Sequence, residues 1–304
     1  MKMKVLITCP RVGDSKELFD KFFTDKGHKV DYKFPDGQGF SSSEISHLYD
    51  EHELLIVGDD NIDTTFLESA TQLKTIIKWG KGIDNIDKKF CHDNNINLYN
   101  SPGNISKYVA EHALALILSV LKKINSNFEG IKNNTWIKEE NFSIYDKTVG
   151  FFGFGDISRN LSLLIKPFSP NIIFYDIKNV KNDFVKVDIE ELFKKSDILI
   201  VAADLNSENE GIINFDLLSK MKTSSILINV SRGQLINQTD LIKILDKNLI
   251  FGAGLDVLDI EPINEEDPLL LLDNVVITCH NASNTKEATI SVNYEILDLL
   301  KSIK

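Results

Sequence analysis

Hydrophobic and polar residues follow two patterns that alternate along the whole chain. Short runs rich in β-branched residues predict β-strands, and longer stretches with hydrophobic residues at helical spacing predict amphipathic helices. The predicted strands are 5–8, 54–57, 75–77, 148–152, 172–175, 198–201, 226–230 and 275–278. Helical spacing is clear at 16–26, which Gly27 follows, and at 239–246. This alternation predicts an α/β fold, with parallel sheets covered by helices on both faces.

The helical segment 104–125 is apolar on nearly every side. It contains the run 113–118 and has few charges between Glu111 and Lys122. Because such a helix must be buried, we expect it to lie between domains or in the interface of a homodimer. The charged stretch 129–147 is predicted to be irregular, and a domain boundary is expected near residue 100.

Composition and charge narrow the class of protein. The chain has 304 residues, of which 42% are hydrophobic and 26% charged, so two globular domains are expected. The net charge of −11 argues against a nucleic-acid or anionic-membrane partner, but leaves a small anionic substrate possible. No apolar run approaches the roughly 20 residues of a membrane span. Cys9, Cys91 and Cys279 are far apart, which predicts no disulfide and no metal site and favours the cytoplasm.

The clearest local motif is a glycine turn between a predicted strand and a helix. Gly153 permits a tight turn, and Gly155 lets the backbone approach a pyrophosphate at the helix N-terminus. The third glycine of the usual fingerprint is replaced by Ser158, a small residue that still allows close packing. Asp176 ends the next strand, about 20 residues on, where ribose hydroxyls are held. A carboxylate there repels a 2′-phosphate, so NAD is favoured over NADP.

Three strands end in residues suited to acid–base chemistry and anion binding: the predicted strand 226–230, another strand predicted within the segment 252–262, and the predicted strand 275–278. Arg232 follows one strand, acids from Asp256 to Glu261 follow the second, and His280 follows the third. The carboxyl ends of parallel strands are where ligands bind in open α/β sheets. We therefore expect these side chains to share one site.

These segments, in this order, resemble the D-isomer-specific 2-hydroxyacid dehydrogenases, the family that includes 3-phosphoglycerate dehydrogenase. The resemblance covers most of the chain and extends to the segments 80–87, 100–103, 109–112 and 286–288. It implies an oxidoreductase that transfers hydride between NAD(H) and a small D-2-hydroxy or 2-oxo acid. It also implies a short form, with no regulatory domain after residue 304.

The resemblance assigns catalytic roles to three side chains. Arg232 would bind the substrate carboxylate and polarise the carbonyl. His280 would exchange a proton with the substrate oxygen. Glu261 would pair with His280 and favour the imidazolium form.

Further contacts are implied for substrate and cofactor. The backbone N–H groups of Lys81 and Gly82 would receive the substrate carboxylate, and Asp256 would hold the nicotinamide carboxamide. The full set of predicted cofactor-binding residues is Gly153, Gly155, Asp156, Ile157, Asp176, Val230 and Asp256.

The chain departs from the family pattern at several positions. Asp156 stands where an arginine usually contacts the pyrophosphate, which predicts modest NAD affinity. Cys279 replaces a proline, and the segment 202–206 near the adenine is unusual. Lys81 is the most informative departure: its ammonium either stays solvated or adds a second anion contact that favours a phosphorylated or dicarboxylic substrate.

The expected architecture is two doubly wound α/β domains with the active site between them. A Rossmann cofactor domain at 101–283 is inserted in a discontinuous, flavodoxin-like substrate domain made of 1–100 and 284–304. One alternative is a non-catalytic, NAD-sensing interaction protein of the corepressor kind. Another is a phosphite-oxidising dehydrogenase, since that branch also has a lysine at the position of Lys81. The sequence leaves the particular acid and the direction of the reaction open.

Overall fold

The chain folds into two compact units. The computed structural model describes residues 2–101, 105–136 and 138–303. One unit comprises Met1–Ile105 with Asn284–Lys304, and the other comprises Ser106–Ser283. Within the described ranges, no helix combines the length and apolarity that crossing a membrane requires.

The first unit is built around a five-stranded parallel sheet. Its strands are β1 (Lys4–Ile7), β2 (Lys29–Tyr32), β3 (Leu54–Val57), β4 (Thr75–Lys78) and β5 (Asn97–Asn100). Its helices in this part of the chain are α1 (Pro10–Gly13), α2 (Lys16–Asp25), α3 (Ser42–Leu48), α4 (Thr64–Ser69) and α5 (Lys88–Asp93). The strand order β2-β1-β3-β4-β5 is the flavodoxin-like order that the sequence predicted.

The second unit contains a seven-stranded parallel sheet. Its strands are β6 (Thr148–Phe152), β7 (Asn171–Tyr175), β8 (Val185–Lys186), β9 (Ile198–Val201), β10 (Ile226–Asn229), β11 (Gly252–Leu255) and β12 (Val275–Ile277). Its helices are α6 (Ser106–Leu121), α7 (Ile124–Lys132), α8 (Asp156–Ile165), α9 (Ile189–Lys195), α10 (Phe215–Leu218) and α11 (Gln238–Asp246). Short 3₁₀ helices lie at Lys166–Phe168, Gly233–Leu235 and Pro268–Leu271.

The strand order of this second sheet, β12-β11-β10-β9-β6-β7-β8, reverses direction between β6 and β9. Such a reversal creates a crevice at the carboxyl ends of the two strands, where dinucleotides bind in doubly wound sheets. The final helix, α12 (Lys286–Ser302), returns to the first unit and buries Val292, Ile296 and Leu300 in its core. The two parallel sheets confirm the predicted α/β class.

The predicted strands differ from the observed ones mainly at the sheet edges. The central strands β3, β9 and β10 are buried at every position, so their apolar runs stood out in the sequence. The strands β2, β5 and β8 were not predicted. They contain exposed or half-buried positions because they lie toward the margins of their sheets.

The long apolar helix predicted at 104–125 is shorter than expected. Residue 104 lies outside the described residues, α6 ends at Leu121, and Lys123 adopts a left-handed conformation before α7 begins. The apolar side chains of α6 are buried against α8, β10 and β11 of its own unit. A Cβ added at Gly254 of β11 would lie 3.1 Å from the Cβ of Leu116, so this glycine allows the close approach of helix and strand. Packing within one unit therefore accounts for the burial of α6.

Candidate active site

The glycine turn after β6 has the geometry of a phosphate-binding loop. Gly153 has φ 89°, and a Cβ there would lie 2.7 Å from the backbone of Ala203, so only glycine fits. At Gly155, an added Cβ would meet no described atom within 4 Å. Gly155 is the N-cap residue of α8, and a glycine has no side chain that could accept hydrogen bonds from the first N–H groups of the helix. The first N–H groups of a helix have no partner within the helix, so this open helix end suits a pyrophosphate.

Ser158 explains how the turn forms without a third glycine. The side chain is fully buried, and its hydroxyl donates a hydrogen bond of 2.6 Å to the carbonyl oxygen of Gly153. The serine therefore closes the turn from inside and keeps the helix near the strand. Asp156 and Ile157 follow on the first turn of α8, exposed and half-buried respectively.

Asp176 lies directly beside this turn. One of its carboxylate oxygens accepts a hydrogen bond from the N–H of Phe154 at 2.8 Å, and the other accepts one from the N–H of Lys178, also at 2.8 Å. These bonds fix a carboxylate at the end of β7, where a ribose would be held. The open helix end and this carboxylate together fit a dinucleotide cofactor.

The loops after β10, β11 and β12 bring the predicted catalytic residues to one edge of the second sheet. These three strands are neighbours in the sheet and run parallel. Nδ1 of His280 lies 2.8 Å from a carboxylate oxygen of Glu261. The other oxygen of Glu261 accepts a hydrogen bond of 2.8 Å from the N–H of Leu258, which fixes the carboxylate. The predicted pair is therefore in contact, with the imidazole side chain 29% exposed.

Arg232 follows β10 at the start of a 3₁₀ turn. Its guanidinium donates a hydrogen bond of 2.7 Å to the carbonyl of Ser231, and its own carbonyl accepts one of 2.9 Å from the side chain of Asn229. A Cβ at Gly233 would lie 1.9 Å from the backbone of Leu258. The glycine therefore lets the arginine loop contact the loop that carries Glu261 directly.

Asp256 organises the turn that carries His280. Its side chain is 1% exposed, and its carboxylate accepts hydrogen bonds from the N–H groups of Asn281 at 2.8 Å and Ala282 at 2.9 Å. The hydroxyl of Thr278 donates a third at 2.6 Å. The carbonyl of Asp256 accepts the N–H of His280 at 2.7 Å. One aspartate thus holds the backbone on both sides of the histidine, which has φ 50°.

His112 of α6 completes this network and was given no role by the sequence. Its Nε2 lies 3.0 Å from the hydroxyl of Thr278 and 3.3 Å from the carboxylate of Asp256. Burial acts to raise the pKa of Asp256, but the bonds from His112, Thr278 and the two amides outweigh it and lower that pKa to about 2. The only sequence signal for His112 was its place in the motif 109–112.

The other predicted residues lie as follows. Val230 is 5% exposed and packed in the core of the second unit. In the first unit, Lys81 and Gly82 follow β4 after Gly80, which has φ 104°. The side chain of Asn100 donates a hydrogen bond of 2.7 Å to the carbonyl of Lys81 and so ties this loop to β5. Residues 102 and 103 of the motif 100–103 lie outside the described residues. Across the described ranges, no cluster of three His, Cys, Asp or Glu side chains could hold a metal ion.

The fold and the site together define a dehydrogenase that uses a nicotinamide dinucleotide. Residues 114–282, more than half of the chain, match the family described as D-isomer specific 2-hydroxyacid dehydrogenase, NAD binding domain. The chain belongs to the D-isomer-specific 2-hydroxyacid dehydrogenase family and is an NAD-dependent oxidoreductase.

Similar proteins differ in their substrates. The D-3-phosphoglycerate dehydrogenase of Archaeoglobus fulgidus is 30% identical over 304 residues, 97% of this chain and 56% of that protein. This chain thus spans little more than half of that relative. The glyoxylate reductase of Pyrococcus furiosus is 32% identical, over 95% of this chain and 88% of its own. A solved acyclic imino acid reductase, in complex with NADPH and D-Arg, has a TM-score of 0.83 and 30% identity, covering 99% of this chain and 96% of its own.

Proposed function

We propose that this chain catalyses reversible hydride transfer between NAD(H) and a small D-2-hydroxy or 2-oxo acid. The observation that carries the proposal is the contact of 2.8 Å between His280 and Glu261, on the same sheet edge as Arg232. NAD(H), when bound, donates or accepts the hydride at the nicotinamide ring. The protein supplies charge, orientation and a proton.

Each of the three side chains has one task in this proposal. Arg232 binds the carboxylate of the substrate through its planar fork of N–H donors. Glu261 accepts the Nδ1 proton of His280, so that Nε2 is the atom that faces the substrate oxygen. During reduction, Nε2 donates a proton to the carbonyl oxygen as C2 receives the hydride; during oxidation, Nε2 removes that proton.

Backbone groups of the first unit contribute to substrate binding in the same proposal. The N–H groups of Lys81 and Gly82 receive the substrate carboxylate. In the second unit, Asp176 binds the ribose hydroxyls of the cofactor, and the N-terminal end of α8 binds its pyrophosphate.

A substrate panel tests this function. The oxidation of NADH is measured with glyoxylate, pyruvate, hydroxypyruvate and 3-phosphohydroxypyruvate, and phosphite is tested with NAD. We expect turnover with at least one 2-oxo acid and a loss of about 10²- to 10⁴-fold in kcat for His280→Ala. His92→Ala is the matched control, because that side chain is 90% exposed. If the protein binds NADH but reduces no acid in the panel, the NAD-sensing alternative replaces this proposal.

Reduction of an imino acid is a second candidate. It is favoured by the 30% identity to the imino acid reductase over 99% of this chain. A C=N bond accepts hydride and a proton in the same geometry as a C=O bond. Adding an excess of methylamine to the assay with glyoxylate or pyruvate distinguishes the two, because an imine reductase then gains rate.

We also propose that the chain forms a homodimer through α7. Ile124, Phe128 and Ile131 lie on one face of that helix and are 52%, 60% and 53% exposed. Exposed apolar patches of this kind mark association sites. Light scattering tests this: Phe128→Glu should give monomers, while Ile177→Glu, at another exposed apolar position, should not.

A further inference from the structure

An arginine in the first unit has no task in the function proposed above. Arg11 lies on α1, directly after β1, with its guanidinium 4.6 Å from the centre of the Trp79 ring and its side chain 21% exposed. Its nearest carboxylate among the described residues is that of Asp59, at 3.8 Å, which exceeds hydrogen-bonding distance. The guanidinium thus stacks on Trp79 and lies at ion-pair distance from Asp59, and it forms no side-chain hydrogen bond to another described residue.

The stacking partner is itself fixed. Trp79 is 2% exposed and donates a hydrogen bond of 2.9 Å from Nε1 to the side chain of Asn293. The amide of Asn293 donates in turn to the carbonyl of Arg11 at 3.0 Å and to the hydroxyl of Ser15 at 2.9 Å. One buried amide therefore holds both the backbone of the arginine and its aromatic partner. Such an arrangement reduces the entropy that the arginine loses when it binds a ligand.

The nearby carboxylates are bonded to groups other than the guanidinium of Arg11. Lys78 is 5% exposed, and its ammonium donates to the carboxylate of Asp59 at 2.9 Å and to the carbonyl of Gly58. Asp59 thus has two cations around it, of which Lys78 is the closer. The buried carboxylate of Asp60 accepts hydrogen bonds from uncharged groups, namely the hydroxyl of Thr8 and the backbone N–H groups of Gly58 and Phe40. The two cations and the two carboxylates balance in formal charge, but among the described residues neither carboxylate lies within hydrogen-bonding distance of the Arg11 guanidinium.

The position of Arg11 in the sheet connects it to the proposed substrate site. The strands β1 and β4 run parallel on either side of β3, so their carboxyl ends lie on the same edge. Trp79 precedes Lys81 by two residues, which limits the distance between their Cα atoms to about 7 Å. The arginine thus stacks on the start of the loop that carries Lys81 and Gly82.

We propose that Arg11 binds a second anionic group of the substrate. This inference rests on the proposed function, in which the first carboxylate is received by Lys81 and Gly82. The substrate class is then a 2-hydroxy or 2-oxo acid that carries a further carboxylate or phosphate. Arginine forms paired hydrogen bonds with either group, so the two sources must be distinguished by experiment.

Kinetics of an arginine variant test the proposal. In Arg11→Met, kcat/KM should fall about 10- to 100-fold for oxaloacetate or 3-phosphohydroxypyruvate, as expected for a lost charge-assisted hydrogen bond, and less than about 3-fold for glyoxylate. Lys26→Met is the matched control, because it removes a cation that stacks on Phe22 at 4.3 Å. Arg11→Lys keeps the charge and should lose less. An equal loss for mono- and dianionic acids would overturn the proposal.

A binding measurement needs no turnover. The chain has two tryptophans, and Trp136 is 81% exposed, so a Trp136→Phe background leaves Trp79 as the reporter. Malate and 3-phosphoglycerate, added without nucleotide, should change its fluorescence saturably, while D-lactate should not. The ligand that saturates at the lower concentration identifies carboxylate or phosphate as the second group. An unchanged titration in Arg11→Met, or none in the parent, refutes the site; failed turnover beside a normal titration refutes only the proposed function.

Discussion

The replacement of Asp256 by asparagine tests whether this carboxylate holds the turn that carries His280. The amide keeps the shape of the side chain but presents one oxygen and one NH₂ group. The carboxylate accepts bonds from Asn281, Ala282, Thr278 and His112, so at least one buried donor must lose its partner. An unsatisfied buried donor costs about 1–3 kcal/mol.

The pKa of Asp256 gives a second measure of the same effect. Its decrease from 3.8 to about 2 corresponds to about 2.5 kcal/mol of stability at neutral pH. Because the folded-state pKa is the lower one, this stability is present above the unfolded value of 3.8 and is lost as pH falls toward 2. We therefore expect Asp256→Asn to be about 2–3 kcal/mol less stable than the wild type at pH 7, with the difference shrinking below about pH 4.

Urea unfolding at several pH values measures this difference, and hydrogen exchange of the amides at 281 and 282 locates it. Asp298→Asn is the matched control, since that carboxylate is 73% exposed. If Asp256 acts through the turn, the variant should lose kcat more than NADH affinity. If Asp256 instead holds the carboxamide directly, NADH affinity should fall most. Unchanged stability together with unchanged exchange at these two amides would show that Asp256 does not hold the turn.

Three further predictions concern the cofactor turn and the catalytic pair. Gly153→Ala should be destabilised by about 1–3 kcal/mol, measured by thermal unfolding, because its φ of 89° and the 2.7 Å distance to Ala203 both exclude a Cβ; normal stability and NADH affinity would contradict this. Glu261→Gln should lower kcat at least about 10-fold, because the amide orients His280 without a charge, and an unchanged pH–rate profile would argue against the pair. Asp176→Ala should raise the ratio of kcat/KM for NADPH to kcat/KM for NADH by about 10-fold or more, because the repulsion of a 2′-phosphate is removed. A constant ratio would show that other residues set the preference between the two cofactors.

The sequence was most informative where chemistry depends on neighbouring residues. The glycine turn could be recognised because Gly153, Gly155 and the acid at 176 stand at fixed offsets from two apolar strands. The central strands could be recognised because both of their faces are buried. The edge strands β2 and β8 escaped detection because a half-exposed strand needs no such apolar run.

The hydrogen-bond network around His280 could not be predicted from local sequence spacing. His112 and Thr278 are 166 residues apart in sequence, and their contact depends on how α6 packs against β11 and β12. The sequence suggested a cofactor contact for Asp256, and that role stays a prediction. The structure adds that its carboxylate oxygens already accept bonds from the turn.

By itself, the sequence determined the α/β class, the strands at the centres of the sheets and the order of the chemical groups along the chain. Periodicity and turn chemistry are local properties, so they can be recognised before the chain folds. The tertiary structure decided which of these groups meet: the hydroxyl of Ser158 closes the cofactor turn, His112 reaches Asp256, and Arg11 stacks on Trp79. Each of those contacts joins different elements, because long-range packing and not sequence spacing sets the distance between them.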